Sequence, residues 1–394
     1  MAKRITLDFL RTESASGMIL ASAALIAILL ANSPWAGAYF GFIDAKFTIQ
    51  IGSFIETHSV LDWIKEGLMA IFFFVVGLEI KHEVIKGELA NPRRLALPVL
   101  AAVGGMLIPA GVYLMFNLGA GGAPTGWPVP VATDIAFALA ALAISGPRLS
   151  PTLRIFLLTL AIVDDIGAVA LIGVLFTSTV HWAAVGGALA SLALMALLGR
   201  WRQAPYLFYL VGFLAVWAFT LKSGISPSIA GVAAAMTIPL GARKAGRPGV
   251  LEDFMHGLHP YVAFVILPLF AFSAAGFSVS SLGLRDLFGP IALGVALGLF
   301  IGKQIGVFGA TALVIGLKLA RRPTGAKWVE LYGVSLLTGI GFTMSLFIGQ
   351  LAFPDGDPAH QAQVRIGVVA GSILSTIVGM AVLAWAQSRR PAED

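Results

Sequence analysis

One apolar stretch that carries two adjacent acidic residues constrains the fold of this chain most strongly. Positions 155–176 contain no charge except Asp164 and Asp165, near the middle. At about 1.5 Å per residue, a helix of this length crosses a bilayer core of about 30 Å. Because an ionised Asp at the centre of a membrane helix costs at least about 2.5 kcal/mol, the pair predicts an ion path, a proton relay or a counter-ion. Helix capping, or pairing with a buried cation for packing alone, is the plainer interpretation.

The composition extends the membrane prediction to the whole chain. Of its 394 residues, 58% are hydrophobic and only 12% are charged, whereas soluble domains carry about 25% charged residues. The chain has no Cys, which excludes disulfides and thiolate metal sites, and nothing predicts a cofactor. We therefore expect an all-α polytopic membrane protein that forms a single integral-membrane domain over positions 1–394.

Hydropathy and turn residues predict twelve transmembrane helices, of which the fourth and the eleventh are interrupted. The predicted ranges are 17–32, 59–80, 95–116, 125–145, 154–176, 182–199, 205–221, 224–240, 258–277, 290–317, 328–350 and 362–386. With the N-terminus inside, most of the 26 Lys and Arg residues fall on the cytoplasmic side, as the positive-inside rule requires. Both termini are accordingly expected in the cytoplasm. The same asymmetry explains the net charge of +6 without nucleic-acid binding.

Positions 45–57 have a different pattern from the spans. Their sequence, AKFTIQIGSFIET, alternates polar and apolar residues around Gly52, which predicts a small extracellular β-hairpin. Because an isolated hairpin is only marginally stable, we expect its edges to pair in a homodimer. An ordinary ordered loop is the alternative.

Two pairs of similar segments predict an internal repeat. TDIAF in the fourth span matches TGIGF in the eleventh, and RIFLLTLAIVDDIG in the fifth matches RIGVVAGSILSTIVG in the twelfth. The second alignment puts Ser375 opposite Asp164 and Thr376 opposite Asp165. Since the fourth and eleventh spans enter the membrane from opposite sides, helices 3–5 and 10–12 are predicted to form inverted-topology repeats, a common transporter design.

Both interrupted spans carry helix-breaking residues at matched places. Pro128 and Pro130 disrupt the fourth span, because proline lacks an amide donor and disfavours helix before it. In the eleventh span, Thr338 is followed by Gly339 and Gly341, which permit an unwound backbone. Two discontinuous, crossed helices would place half-helix ends near the midplane, where transporters bind their ions.

Five polar side chains are predicted to lie near these breaks: Thr133, Asp134, Asp164, Asp165 and Lys303. We expect Asp134 to face positive helix N-termini and Lys303 to face negative C-termini. Neighbouring helix positions point about 100° apart, so one Asp can face an ion while the other pairs with Lys303. Their oxygens suit Na⁺ or Li⁺, and protons compete for the same carboxylates. The plainer roles are helix-end compensation for Asp134, a structural ion pair for Lys303 and a helix cap for Thr133.

Several motifs resemble those of the NhaA-type Na⁺/H⁺ antiporter family. They are VATDIAFALA, LAIVDDIGAVALI, IGKQIG, LTGIGFTMSLFI, FFFVVGLEIKHE and LHPYVAFVILPLFAFSAAG. The resemblance implies pH-regulated, electrogenic exchange of Na⁺ or Li⁺ for more than one proton, in a homodimer of a bacterial inner membrane, with a role in Na⁺ and pH homeostasis. It assigns cation binding to Asp164 and Asp165, with Thr133 and Asp134 beside them and Lys303 as the partner of Asp164.

The resemblance also implies a pH-responsive cluster at the cytoplasmic ends of the second and ninth helices. The matching positions are Glu79, His82, Glu83, Glu252, Asp253, His256 and His259. A His side chain titrates near neutral pH, although a solvated loop is the plainer interpretation. We further expect core repeats at 95–176 and 290–386, and interface helices at 17–94 and 177–289.

Three other functions are weighed against exchange. A solute symporter of the same crossed-helix architecture, of the bile-acid type, would need a roomier polar cavity. An intramembrane aspartyl protease uses Asp residues on two helices, one within a G-x-G-D string, and this sequence has adjacent Asp residues and no such string. A channel does not require inverted repeats with titratable acids. The sequence does not decide between Na⁺, Li⁺ and K⁺.

Overall fold

The computed structural model describes residues 2–52, 54–90, 92–145, 149–177, 180–200, 204–241, 249–278, 287–353 and 358–389. The α-helices within these residues, numbered in chain order, are α1 (Ala2–Ala31), α2 (Ala36–Ile43), α3 (Val60–Trp63), α4 (Met69–Ile85), α5 (Pro92–Asn117), α6 (Ile135–Ser145), α7 (Pro151–Leu175), α8 (Trp182–Arg200), α9 (Tyr206–Ser223), α10 (Ser228–Thr237), α11 (Val250–Tyr261), α12 (Leu267–Ala275), α13 (Pro290–Leu297), α14 (Gly309–Gly316), α15 (Trp328–Leu337), α16 (Phe342–Ala352) and α17 (Pro358–Ser388). The strands are β1 (Lys46–Ile51) and β2 (Phe54–Ser59).

Short non-α turns connect or interrupt several helices. The 3₁₀ turns are Glu88–Ala90, Pro124–Gly126 and Val129–Val131, and the π-helical turns are Ile64–Leu68, Val262–Ile266, Gly298–Gly302 and Gln304–Phe308. Single π turns inside α-helices occur frequently at functional sites. Lys303 lies between the last two of them.

The apolar helices make this a polytopic α-helical protein. Eight helices of the described residues are long and apolar enough to cross a membrane, or up to ten if each of two bent pairs is one span. The count of twelve stays a prediction. The predicted first span, 17–32, agrees with the apolar part of α1, Ser14–Ala31, although the helix itself begins at Ala2. The start predicted at position 258 is wrong, because that helix begins at Val250. Both extensions are polar, so hydropathy does not detect them.

The first of two compact units comprises Met1–Ser33, Asn91–Ala168 and Ala274–Asp394. Here the backbone of α5 lies against the π-helical turns around Lys303. A Cβ atom added to Gly302 would lie 2.7 Å from the Cα atom of Pro109, and one added to Gly306 would lie 2.8 Å from the carbonyl carbon of Gly104. Because only glycine permits such an approach, these contacts fix the backbone that carries Lys303.

The second unit comprises Pro34–Ala90 and Val169–Ser273. Small residues also set its closest helix contact, between α4 and α10. A Cβ atom on Gly77 would lie 3.0 Å from the Cα atom of Val232, and one on Gly231 would lie 2.7 Å from the amide nitrogen of Phe74. The buried apolar core of this unit surrounds that contact and includes Phe74.

Strands β1 and β2 pair antiparallel in the second unit. Thr48 lies opposite Thr57, and their hydroxyl oxygens are 2.7 Å apart. Pairing extends to Ser59, beyond the predicted end at position 57, and the Ser59 hydroxyl accepts a hydrogen bond of 3.1 Å from the Asp62 amide at the start of α3. Position 53 of the predicted hairpin lies outside the described residues. An extracellular location and a role in dimerisation stay predictions.

Candidate ion-binding site

Two helix breaks meet at the centre of the first unit. The turns Pro124–Gly126 and Val129–Val131 meet α6 at a bend of 41°, and α15 meets α16 at a bend of 42°. The amide of Asp134 in the first break donates to the carbonyl of Ile340 in the second, at 2.6 Å. A further hydrogen bond of 2.8 Å runs from the Ser345 hydroxyl to the Val129 carbonyl. Backbone groups released by one break are therefore satisfied by the other, as a membrane interior requires.

The carboxylate of Asp134 lies at the N-terminal ends of two helices. Its Oδ1 atom accepts from the Phe137 amide of α6 at 3.1 Å. Its Oδ2 atom accepts from the Thr343 amide of α16 at 3.0 Å and from the Thr343 hydroxyl. The side chain is buried, so its negative charge offsets the partial positive charge of both helix ends. These contacts agree with helix-end compensation, the plainer of its two predicted roles.

Lys303, Asp164 and Thr133 form one buried hydrogen-bonded group. The Lys303 Nζ atom lies 2.6 Å from Asp164 Oδ2 and donates to Thr133 Oγ1 at 3.0 Å. Thr133 Oγ1 lies 2.8 Å from Asp164 Oδ2 and 2.9 Å from the carbonyl oxygen of Thr338. All three side chains have an exposed fraction of 0%. The contact between Lys303 and Asp164, which the family resemblance implied, is present.

One atom of this group is unsatisfied. Asp164 Oδ1 is buried and has no hydrogen-bond partner among the residues that the structure describes. Buried polar atoms are nearly always paired in proteins, so this oxygen is available to an arriving proton or cation. Asp165 follows on α7 and is also buried, with 2% of its surface exposed; its side chain points about 100° away from that of Asp164.

The hydroxyl of Thr133 lies between Lys303 and a helix C-terminus. The hydrogen bonds of Lys303 go to Asp164 and Thr133, and Thr133 Oγ1 is within reach of the carbonyl of Thr338, just after α15. The Lys303 ammonium group therefore forms its ion pair with the Asp164 carboxylate. The expectation that the charge of Lys303 offsets this C-terminus stays a prediction.

Comparison with known proteins identifies the lineage of this chain. Residues 7–383 match the family model described as Na⁺/H⁺ antiporter 1. The chain belongs to this family. Curated relatives include the proteins named Na⁺/H⁺ antiporter NhaA of Rhodospirillum rubrum, which is 48% identical with 100% of both chains covered, and of Bordetella parapertussis, which is 49% identical with 95% of each covered. The Na⁺/H⁺ antiporter NhaA of Pseudomonas putida is 43% identical, with 97% of each chain covered.

Three polar residues at the second break of this antiporter-family chain were missed by the sequence analysis. The Ser372 hydroxyl accepts from the Phe342 amide at 3.2 Å, so it satisfies the first amide of α16. Thr343 and Ser345 bind the other break, as described above. The segment GFTMS does carry a signal, because Ser and Thr are frequent at helix N-termini.

The predicted pH-response residues lie on α4 and α11 of the second unit. Contacts of these residues with other segments include His259 Nδ1 to Glu79 Oε1 at 3.5 Å, Lys86 Nζ to Glu252 Oε1 at 2.7 Å, and the Tyr206 hydroxyl to Asp253. Contacts within one helix include His82 Nδ1 to Glu83 Oε1 at 3.9 Å and His256 Nδ1 to the Glu252 carbonyl at 2.7 Å. The structure thus brings all seven residues onto two packed helices. Lys86 and Tyr206 were not predicted; Lys86 lies three residues after Glu83, directly after the end of α4.

Proposed function

We propose that this chain exchanges Na⁺ or Li⁺ for protons by alternating access at Asp164 and Asp165. One observation carries the proposal: Asp164 has one oxygen held by Lys303 and Thr133, and a second, buried oxygen without a partner in the described part of the chain. Relatives named Na⁺/H⁺ antiporters, 48% and 43% identical over 97% or more of the chain, support it. The symporter and protease alternatives have no comparable support.

Competition for the same oxygens couples the two ions. Protonation of Asp164 or Asp165 removes the charge that a cation needs, and a bound cation disfavours the proton by the same amount. A Na⁺ ion held by both carboxylates would also lie close to the Lys303 ammonium, which it repels. Entry of the cation therefore releases protons, and release of more than one proton per cation makes the exchange electrogenic.

Thr133 links the state of Asp164 to the second helix break. Its hydroxyl carries one proton and has two acceptors within reach, Asp164 Oδ2 and the Thr338 carbonyl. It can donate to only one of them at a time. A cation or proton at Asp164 reduces the demand of that oxygen for a donor, so the hydroxyl turns to Thr338. Loading of the site would in this way alter the contact between the two broken helices.

The finer architecture belongs to the same proposal. We infer twelve spans with both termini in the cytoplasm of a bacterial inner membrane, inverted repeats at 95–176 and 290–386, and interface helices at 17–94 and 177–289. Strands β1 and β2 would join two copies into a homodimer, because within the described residues each strand pairs with another strand on one side only. The α4 and α11 cluster would regulate exchange by pH, because its ion pairs contain His82 and His259.

Exchange in inside-out vesicles tests the function. Vesicles are acidified by respiration, and a pH-sensitive dye reports the return of protons when Na⁺, Li⁺ or K⁺ is added. We expect the dye to recover with Na⁺ or Li⁺. Asp165→Asn should abolish the recovery, whereas Asp44→Asn, a matched change at an exposed position, should leave it intact. Absence of a response to all three cations in folded wild-type protein would refute the proposed exchange.

A further inference from the structure

Ser375 on α17 has an unsatisfied hydroxyl in the interior of the first unit. The residue is fully buried, with 0% of its surface exposed, and its Oγ atom has no hydrogen-bond partner within the described residues. Two neighbouring hydroxyls on the same helix are engaged: Ser372 Oγ accepts from the Phe342 amide, and Thr376 Oγ1 donates to the Ser372 carbonyl at 2.8 Å. A hydroxyl on this part of α17 can therefore find a partner, and the unpaired hydroxyl of Ser375 needs another explanation.

Three oxygen atoms converge on the second break around Gly339. A Cβ atom added to this glycine would collide with the Ser375 hydroxyl, would lie 2.5 Å from the Leu299 carbonyl oxygen and would lie 3.1 Å from that of Leu336. The absence of a side chain at Gly339 leaves room for these oxygens beside the backbone of the break. The Leu299 carbonyl comes from the π-helical turn Gly298–Gly302, where the regular α-helical hydrogen-bond pattern is disturbed.

The same place lies at the negative end of a half-helix. α15 ends at Leu337, and a helix C-terminus carries about half a negative elementary charge. In transporters with broken helices, such ends and unwound carbonyls coordinate Na⁺. The Thr338 carbonyl, one residue before Gly339, lies 2.9 Å from Thr133 Oγ1, and the Leu336 carbonyl accepts from the Gly339 amide at 3.0 Å. A carbonyl oxygen that accepts one hydrogen bond keeps a second lone pair, so the Leu336 and Leu299 carbonyls and the Ser375 hydroxyl are hard oxygen ligands of the kind that suits an alkali cation.

We infer that Ser375, Leu299 and Leu336 form a second, transient position for Na⁺ or Li⁺. The inference rests on the proposed exchange function and adds a second binding position to the path of the cation. This position is linked to Asp164 through the contacts of Thr133 with Asp164 and with Thr338. All of its ligands are neutral. Cation binding there is therefore weak and does not depend on pH, in contrast to binding at Asp164 and Asp165, where protons compete.

Paired measurements of Na⁺ affinity and maximal rate test this position. Ser375→Ala removes the hydroxyl and little volume, so Na⁺ binding at the second position of the full-length protein should weaken about threefold to tenfold, the effect of losing one neutral polar contact. Affinity is taken from the Na⁺ concentration at half-maximal exchange and from ²²Na⁺ binding to purified protein, at a low pH, where protons suppress binding at Asp164 and Asp165, and at a high pH, where they do not. Because the second position has no titrating ligand, the loss of affinity should be largest at low pH, and the maximal rate should be unchanged.

Two further variants separate ligation from packing. Thr376→Val removes a neighbouring hydroxyl that is bound within its own helix, so it should keep wild-type Na⁺ affinity. Ser375→Cys keeps the size but replaces a hard oxygen by a soft sulfur, so it should weaken Na⁺ binding as Ser375→Ala does. Wild-type affinity in both Ser375 variants would overturn the second position, as would a loss of maximal rate with unchanged affinity. Wild-type protein that binds Na⁺ without exchanging it would refute the proposed function alone.

Discussion

Removal of the buried ion pair in two steps gives the sharpest test of the site geometry. Lys303 Nζ and Asp164 Oδ2 are 2.6 Å apart, and both side chains are fully buried. Loss of one partner leaves an uncompensated buried charge, which costs about 3–5 kcal/mol. Replacement of both partners by neutral groups of similar size is often close to neutral. Lys303→Met and Asp164→Asn should each destabilise the protein by that amount, and the double variant should recover most of the loss.

The measurement is thermal unfolding of purified protein in detergent at neutral pH, followed by intrinsic fluorescence. The midpoints of both single variants should fall well below that of the double variant, which should itself approach wild type while being inactive in exchange. Lys46→Met, at an exposed position, controls for loss of a Lys side chain elsewhere. Losses that simply add in the double variant would mean that the two groups do not interact, and would refute the ion pair on which the proposed mechanism depends.

Four further predictions address other parts of the proposal. Asp134→Asn should lower stability by about 1 kcal/mol in the same unfolding assay, because it removes the charge at two helix N-termini, and should leave the pH dependence of exchange unchanged. Thr133→Val should weaken Na⁺ affinity in vesicles about tenfold, because it removes a hydroxyl shared by three partners. Each proton that competes with Na⁺ should weaken its apparent affinity tenfold for each unit by which the pH falls below the range where the carboxylates are ionised, so exchange for more than one proton should give a steeper dependence than tenfold; a flat profile would exclude competition. Deletion of positions 45–57 should leave exchange intact and convert the dimer to a monomer in native mass spectrometry; an unchanged dimer would reject that interface.

Charge alone predicted that Lys303 pairs with an acidic residue, but it did not say with which one. Four charged side chains at membrane depth have few ways to avoid isolation, and only Lys303 is basic; the assignment of Asp164 as its partner came from the family resemblance. The sequence did not reveal that the hydroxyl of Thr133 lies between Lys303 and the C-terminal carbonyl of Thr338. That outcome depends on where α5 positions the π-helical turns around Lys303, through the contacts of Gly302 with Pro109. Hydrophobic periodicity carries no information on such an approach.

Boundaries of the helices were predictable only where the chain changes from apolar to polar. The start of α11 at Val250 was missed because its first turns, LEDFMHG, are too polar to resemble a span. A helix that continues beyond the apolar core positions its polar residues regularly, so Glu252 and His256 lie one turn apart on α11. Glu252 contacts Lys86, the residue directly after α4. The earlier start of α11 also matters for the candidate pH-response residues, because it places them on a helix.

The aligned residues of the two predicted repeats differ in charge, and this difference fits the proposed use of one site for two ions. In the first repeat, Asp164 is ionisable and is compensated by Lys303; in the second, the aligned position is Ser375, which is neutral. Had both positions carried a carboxylate, a cation and a proton could be bound at once, one at each position, and their exchange would not be obligatory. The Asp134 carboxylate is held by the N-terminal ends of two helices, so in the proposed mechanism only Asp164 and Asp165 are shared, and every cation must displace protons from the same oxygens. The neutral position at the second break would bind a cation but no proton. It would therefore leave the coupling between cation and proton at Asp164 and Asp165 unchanged.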